Sequence, residues 1–140
     1  MQRFASITRD GGVRRGDRWG NGHYGAGRGG RSHQGVDFVA QPGQEILSPI
    51  DGNVVRPAAP YRDDPRFTGI VIDGVGPWAG IQVKLFYVQG ERSGPIRAGE
   101  RLGLAQDVRL RYPKITNHIH LEIRAFGRLL SPDEAYSQCL

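Results

Sequence analysis

Short apolar runs, broken every few residues by turn-forming side chains, limit this chain to a narrow range of folds. Val36 to Ala40 is followed by Gln41-Pro42-Gly43-Gln44, a turn. Glu45 to Ser48 and Gly52 to Val55 flank a second, Pro49-Ile50-Asp51-Gly52. Gly69 to Ile72, Gly80 to Val88 and His118 to Arg124 are β-branched or aromatic runs of strand length. Asp73-Gly74 and Phe126-Gly127-Arg128 read as hairpin tips. No segment keeps a 3.6-residue apolar period over three turns. Only Ser131-Pro132-Asp133-Glu134-Ala135-Tyr136 begins like a helix, with a serine cap, proline at the first helical position and acids near the amino end. Short strands joined by tight turns pair most naturally in antiparallel fashion. The expected class is all-β, with long surface loops.

A chain of 140 residues fits one domain. We read residues 1–12 as an N-terminal tail and 13–140 as that single domain. Residues 1–31 are rich in glycine and arginine, and Gly20 to Gly30 reads as irregular loop held by aromatics such as Trp19 and Tyr24. The 21 glycines follow no period, which excludes a collagen-like repeat. No run of 18 apolar residues exists, so no transmembrane segment is expected. Met1 to Asp10 lacks the apolar centre of a secretory signal. The lone Cys139 cannot form an internal disulfide and reads as a surface thiol. A net charge of +5 calls for an anionic partner. Its arginines are scattered, with no basic helix or aromatic-interleaved array, so nucleic acid is not the expected partner. The polyanionic bacterial wall fits the charge equally well.

Three of the four histidines fall in two compact patterns. The first is His33-Gln34-Gly35-Val36-Asp37, where a histidine and an aspartate can turn inward from a loop and the strand that follows. The second is His118-Ile119-His120. On a strand these two imidazoles share one face, roughly 6–7 Å apart, leaving Ile119, Leu121 and Ile123 on the other. Two imidazoles and a carboxylate, with a fourth position for water, form the ligand set of a catalytic zinc site rather than a closed structural one. One histidine of the pair would ligate while its neighbour handles protons. Such a metal acidifies water and polarises an amide carbonyl. Either pattern alone arises easily by chance; together they favour one zinc ion.

These patterns resemble the two signatures of the lysostaphin-like (M23) zinc metallopeptidases, which cleave peptide crosslinks of bacterial peptidoglycan. The resemblance continues through Ala40-Gln41-Pro42-Gly43, Pro49-Ile50-Asp51-Gly52-Asn53-Val54-Val55 and Gly94-Pro95-Ile96-Arg97-Ala98-Gly99-Glu100-Arg101-Leu102-Gly103, covering about residues 13–136. Val83-Lys84-Leu85-Phe86-Tyr87-Val88 and Tyr112-Pro113-Lys114-Ile115 are most similar to the leukocyte cell-derived chemotaxin 2 subgroup. The resemblance implies a small antiparallel β-sandwich or half-open barrel with a groove over the metal. It implies zinc ligands at His33, Asp37 and His120, with His118 as general base. It also exposes a departure: Tyr87 falls where typical active members carry a second catalytic histidine. A tyrosine hydroxyl can donate to an oxyanion, but it cannot accept a proton from water at neutral pH.

Two functions follow. The first is a zinc endopeptidase acting on peptidoglycan stem peptides in the periplasm or outer wall. With no visible export signal, delivery would fall to a contact-dependent secretion system or a phage, or the chain is a domain of a longer protein. As an antibacterial effector it would have a cognate immunity protein as partner. The alternative is a catalytically inactive, zinc-stabilised binding or signalling module like the chemotaxin 2 proteins. Among lesser residues, Asn117 and Glu122 either orient a ligand or face solvent. Arg31 pairs with Asp37 or with a substrate carboxylate, or lies on the surface; His23 closes over the groove, substitutes as a fourth ligand in a resting state, or sits in a solvated loop.

Overall fold

The computed structural model describes residues 4–8, 27–28, 31–32 and 35–130, the two short pairs as backbone only. The one-turn helix expected near Ser131 lies outside that range. Among the described residues, β1 (Gly27–Arg28) and β2 (Arg31–Ser32) form a two-stranded ribbon. β3 (Val36–Val39), β4 (Glu45–Leu47), β5 (Gly52–Ala58), β6 (Gly69–Gly74), β7 (Ile81–Phe86) and β8 (Val88–Gly90) follow. The series closes with β9 (Gly94–Ile96), β10 (Arg101–Ala105), β11 (His118–Ala125) and β12 (Arg128–Leu129). A large sheet runs β12-β11-β7-β6-β5-β9, with β3 also paired to β11; a smaller one runs β4-β10-β8. Every pairing is antiparallel. Among the described residues the sheets do not close into a barrel, and the fold is the antiparallel all-β one expected from the sequence.

The period of two along each strand sorts side chains between two environments. Ile119, Leu121 and Ile123 of β11 line up with Leu85 and Val83 of β7 and with Ile70 and Ile72 of β6. Together with Ile46 of β4, Val88 of β8 and Leu102 of β10 they form one buried cluster. Full burial of such side chains contributes about 1.5–3 kcal/mol each. Residues 4–8 join this core: Phe4 and Ile7 are buried, and Phe4 stacks on Trp78 at 4.7 Å between ring centroids. Ala5 N–H donates to the Pro49 carbonyl, and Leu47 N–H to that of Ile7. Part of the segment read as a tail therefore contributes to the packing.

Local turn chemistry follows the sequence at two places. Gln44 N–H donates to the Gln41 carbonyl across Pro42 and Gly43, whose φ of +82° suits glycine. Phe126 and Gly127 both adopt positive φ at the β11–β12 hairpin, as a twisted two-residue turn demands. Asp73-Gly74 differs from the expectation. Both residues stay in β6, and a 3-10 turn at Gly76–Trp78 makes the connection. Burial of Trp78 carries the chain across the end of the sheet, and its carbonyl packs where a Gly74 side chain would begin. The run from Gly80 to Val88 is also not one strand, because it breaks at Tyr87 between β7 and β8.

Asn117, just before β11, locks the strand to its neighbours. Its side-chain carbonyl accepts from Val108 N–H at 2.8 Å, and its amide donates to the carbonyls of Ala40 at 2.7 Å and Gln106 at 2.9 Å. Asn117→Ala would leave these buried partners unsatisfied, at about 1–3 kcal/mol per group. We expect a lower urea midpoint with an unchanged slope; an unaltered midpoint would mean that Asn117 is not the lock described.

Candidate metal centre

The pairing of β3 with β11 sets Asp37 directly opposite His120. The core-facing alternation of Ile119 and Leu121 forces His118 and His120 onto the opposite face of the sheet, where Asp37 meets them. The Asp37 carboxylate is buried, and its Oδ1 lies 2.9 Å from His120 Nδ1. Its Oδ2 lies 3.5 Å from His118 Nε2. A buried carboxylate without such partners would be strongly destabilising.

Each imidazole is oriented from behind. His118 Nδ1 lies 2.8 Å from the Thr116 carbonyl, which can only accept, so Nδ1 carries a hydrogen and Nε2 is the nitrogen that faces Asp37. His120 Nε2 lies 3.4 Å from Glu122 Oε2. Burial disfavours the charged form of His120, but the carboxylates of Asp37 and Glu122 outweigh it and raise its pKa. Burial also raises the Glu122 pKa, yet the His120 contact and the nearby Lys84 and Arg124 bring the net shift downward. Phe86 stacks over the His120 ring at 5.6 Å.

Gly35, within the first signature, sits where only a glycine fits. A side chain there would run into the Leu121 carbonyl and His120 Nε2, so only glycine lets the backbone at position 35 lie against β11. His33 lies outside the described residues, as do His23, Cys139 and the Arg31 side chain. Among the described residues no group of three or more His, Cys, Asp or Glu side chains forms a metal cage. The donor set of Asp37 and His120 nevertheless fits zinc. Oδ1 and Nδ1 converge from two strands, and Glu122 holds the far ring nitrogen, the arrangement that orients a ligating histidine.

Tyr87 reaches this centre through a break in the alternation. Leu85 and Val88 are both buried in the core, yet Phe86 and Tyr87 between them both contact the histidine face. The left-handed backbone at Tyr87, φ +67°, makes that possible. Its N–H donates to the Thr68 carbonyl at 2.8 Å, and its carbonyl accepts from Gln106 N–H at 2.8 Å. The ring lies edge-on to His118 at 5.5 Å.

Behind Tyr87 stands a cluster that the sequence reading did not foresee. Tyr61 Oη lies 2.8 Å from Tyr87 Oη and 2.7 Å from Tyr112 Oη. Burial, followed by the neighbouring phenols, raises the Tyr61 pKa far above the usual tyrosine range, so the hydroxyl keeps its hydrogen. The Arg111 guanidinium stacks on the Tyr61 ring at 3.8 Å and donates to Asp64 at 3.1 Å. Asp64 also accepts two bonds of 2.8 Å from Arg66. Of the trio's outer members, Tyr112 lies in the quoted Tyr112-Pro113-Lys114-Ile115 segment, while Tyr61 sits in a polar loop with no recognisable pattern.

No family model matches the chain. Mouse leukocyte cell-derived chemotaxin-2 is 35% identical over 112 residues, spanning 79% of this chain and 72% of that protein. The fold also matches lysostaphin, with a TM-score of 0.63 and 18% identity over 81% of this chain and 48% of that one. A zinc-containing peptidase from Vibrio cholerae matches with a TM-score of 0.61 and 19% identity, over 92% of this chain and 39% of that one. The chain thus spans less than half of either peptidase. The fold is that of the lysostaphin-like peptidases. Within it, the chain belongs to the leukocyte cell-derived chemotaxin-2 family.

The contact of Asp64 with Arg66, reinforced by Arg111, lowers the carboxyl pKa from its ordinary 3.8. A lowered folded pKa means that the stabilisation is complete above 3.8 and disappears as pH falls through the folded value. Asp64→Asn should therefore melt below wild type at neutral pH, with the gap closing only in strong acid. A gap that stays constant across the acid range would show that the Asp64 charge does not matter.

Proposed function

We propose that the chain is a zinc metalloendopeptidase that cleaves stem-peptide crosslinks of peptidoglycan. The observation that carries this reading is the convergence of Asp37, His118 and His120 across the β3–β11 pairing. His33, Asp37 and His120 would hold the metal, with His33 assigned from its place in the first signature. Zinc, when bound, supplies Lewis-acid polarisation of the scissile carbonyl and an acidified water. His118 accepts the water's proton at Nε2, its Nδ1–H being held by Thr116. The Tyr87 hydroxyl donates to the oxyanion that develops on the carbonyl oxygen. The net charge of +5 suits an anionic wall.

Tyr87 also favours a second reading, a zinc-stabilised binding module without hydrolysis, which kinship with the chemotaxin-2 proteins supports. Incubation of zinc-loaded protein with purified sacculi separates the two. The peptidase reading expects crosslinked muropeptides to disappear, chelation to stop the loss and zinc to restore it. His118→Ala should retain one zinc and lose roughly 10²–10⁴-fold in rate. His120→Ala and Asp37→Ala should lose the metal. Intact crosslinks after treatment with fully zinc-loaded wild type, combined with hydrolysis by Tyr87→His, would establish the binding module instead.

A further inference from the structure

We propose that Tyr61 is a positioning residue for the Tyr87 hydroxyl, at the centre of a directed chain of hydrogen bonds running from Arg111 through Tyr112 and Tyr61 to Tyr87. The proposal rests on the reading that Tyr87 serves the metal centre as an oxyanion donor.

The proposed direction starts from the one member of the chain that can only donate. Arginine can only donate, and Arg111 Nε donates to Tyr112 Oη at 3.3 Å. A phenol that accepts from a cation becomes a stronger donor, and in the proposed direction Tyr112 gives its hydrogen to Tyr61 across 2.7 Å. Tyr61 then gives its own to Tyr87 at 2.8 Å. The Tyr87 oxygen is thereby filled as an acceptor from inside the cluster, and its hydrogen is directed beyond the trio. The cation at the head of the chain has little freedom, being stacked on Tyr61 and paired with the buried Asp64.

The packing supports a positioning role. Tyr61, Tyr87 and Tyr112 gather around a small apolar cluster of Phe67, Val108 and Ile115, separate from the main core. Phe67 meets Tyr61 and Tyr87 edge-on at 6.0 and 6.1 Å. Two loops, before β6 and before β11, thus converge on one side chain whose own backbone is held left-handed. A tyrosine replacing a shorter histidine needs its terminal hydroxyl placed from outside its own strand, and Tyr61 provides that contact.

The test compares two probes on the zinc-loaded protein by calorimetry: a phosphinate-containing peptide that mimics the tetrahedral oxyanion, and the matching amide peptide. Tyr61→Phe should weaken phosphinate binding roughly tenfold to a hundredfold, the value of a hydrogen bond to a charged group. Tyr87→Phe should match it, and the double variant should lose no more than either alone, because both act through one hydroxyl. Amide binding should change by less than about twofold. Tyr112→Phe, which disturbs the chain one step farther back, should reproduce the selective loss in milder form. Equal losses on both probes would indicate mere loosening of the fold and overturn the proposal. Phosphinate affinity unchanged in Tyr61→Phe, losses that multiply in the double variant, or zinc-loaded wild type that ignores the phosphinate would also overturn it. If wild type binds the phosphinate with the expected pattern yet leaves sacculi intact, the peptidase reading fails and the positioning role stands. If wild type cuts sacculi and Tyr61→Phe cuts them equally well, the positioning role fails and the peptidase reading stands.

Discussion

Everything about the candidate centre depends on one antiparallel pairing, that of Asp37 on β3 with His120 on β11. The two residues are 83 positions apart in the chain, and the ladder brings Oδ1 and Nδ1 to 2.9 Å. The core enforces this register. A slip of one residue would turn Ile119, Leu121 and Ile123 outward and bury the two imidazoles among aliphatic side chains. At about 1.5–3 kcal/mol for each buried aliphatic side chain, the correct register is favoured by far more than any interaction at the site itself. Hydrophobic burial on one face of β11 therefore fixes the geometry of the polar residues on the other.

Placing charge at a buried site requires compensation, and this centre provides it in layers. Asp37 is met by both rings, His118 is held by the Thr116 carbonyl, and His120 is held from its far nitrogen by Glu122. The raised pKa of His120 records how strongly its two carboxylate neighbours favour positive charge at that point. Gly35 completes the arrangement sterically by letting the backbone just before β3 lie against β11.

Tyr87 shows the opposite relation, in which local backbone strain serves placement. A non-glycine residue in the left-handed region costs of order 1–3 kcal/mol. The strain is held by the Tyr87 hydrogen bonds to Thr68 and Gln106, and Gln106 is itself tied to Thr68 N–H and the Arg66 carbonyl. The result is two consecutive aromatic rings on one face, Phe86 on His120 and Tyr87 on His118. No regular strand could present that pair.

Much of the site was legible in the sequence because its signals are local. Alternation predicts that His118 and His120 share a face, turn residues mark the strand ends, and His33-Gln34-Gly35-Val36-Asp37 carries a donor set suited to zinc. Other features depend on residues distant in the chain and carry no local periodicity. The break at Tyr87 is invisible in an apolar run that reads as one strand. Glu122 was ambiguous until the sheet placed it beside His120 and Lys84. Tyr61 and Tyr112 gain meaning only when two loops meet. The sequence by itself determined an antiparallel β fold and the types of donor available, because strand alternation and turn sterics act over a few residues. Tertiary structure alone decided which donors meet and how the three tyrosines join, because long-range packing sets cross-strand register and loop contact.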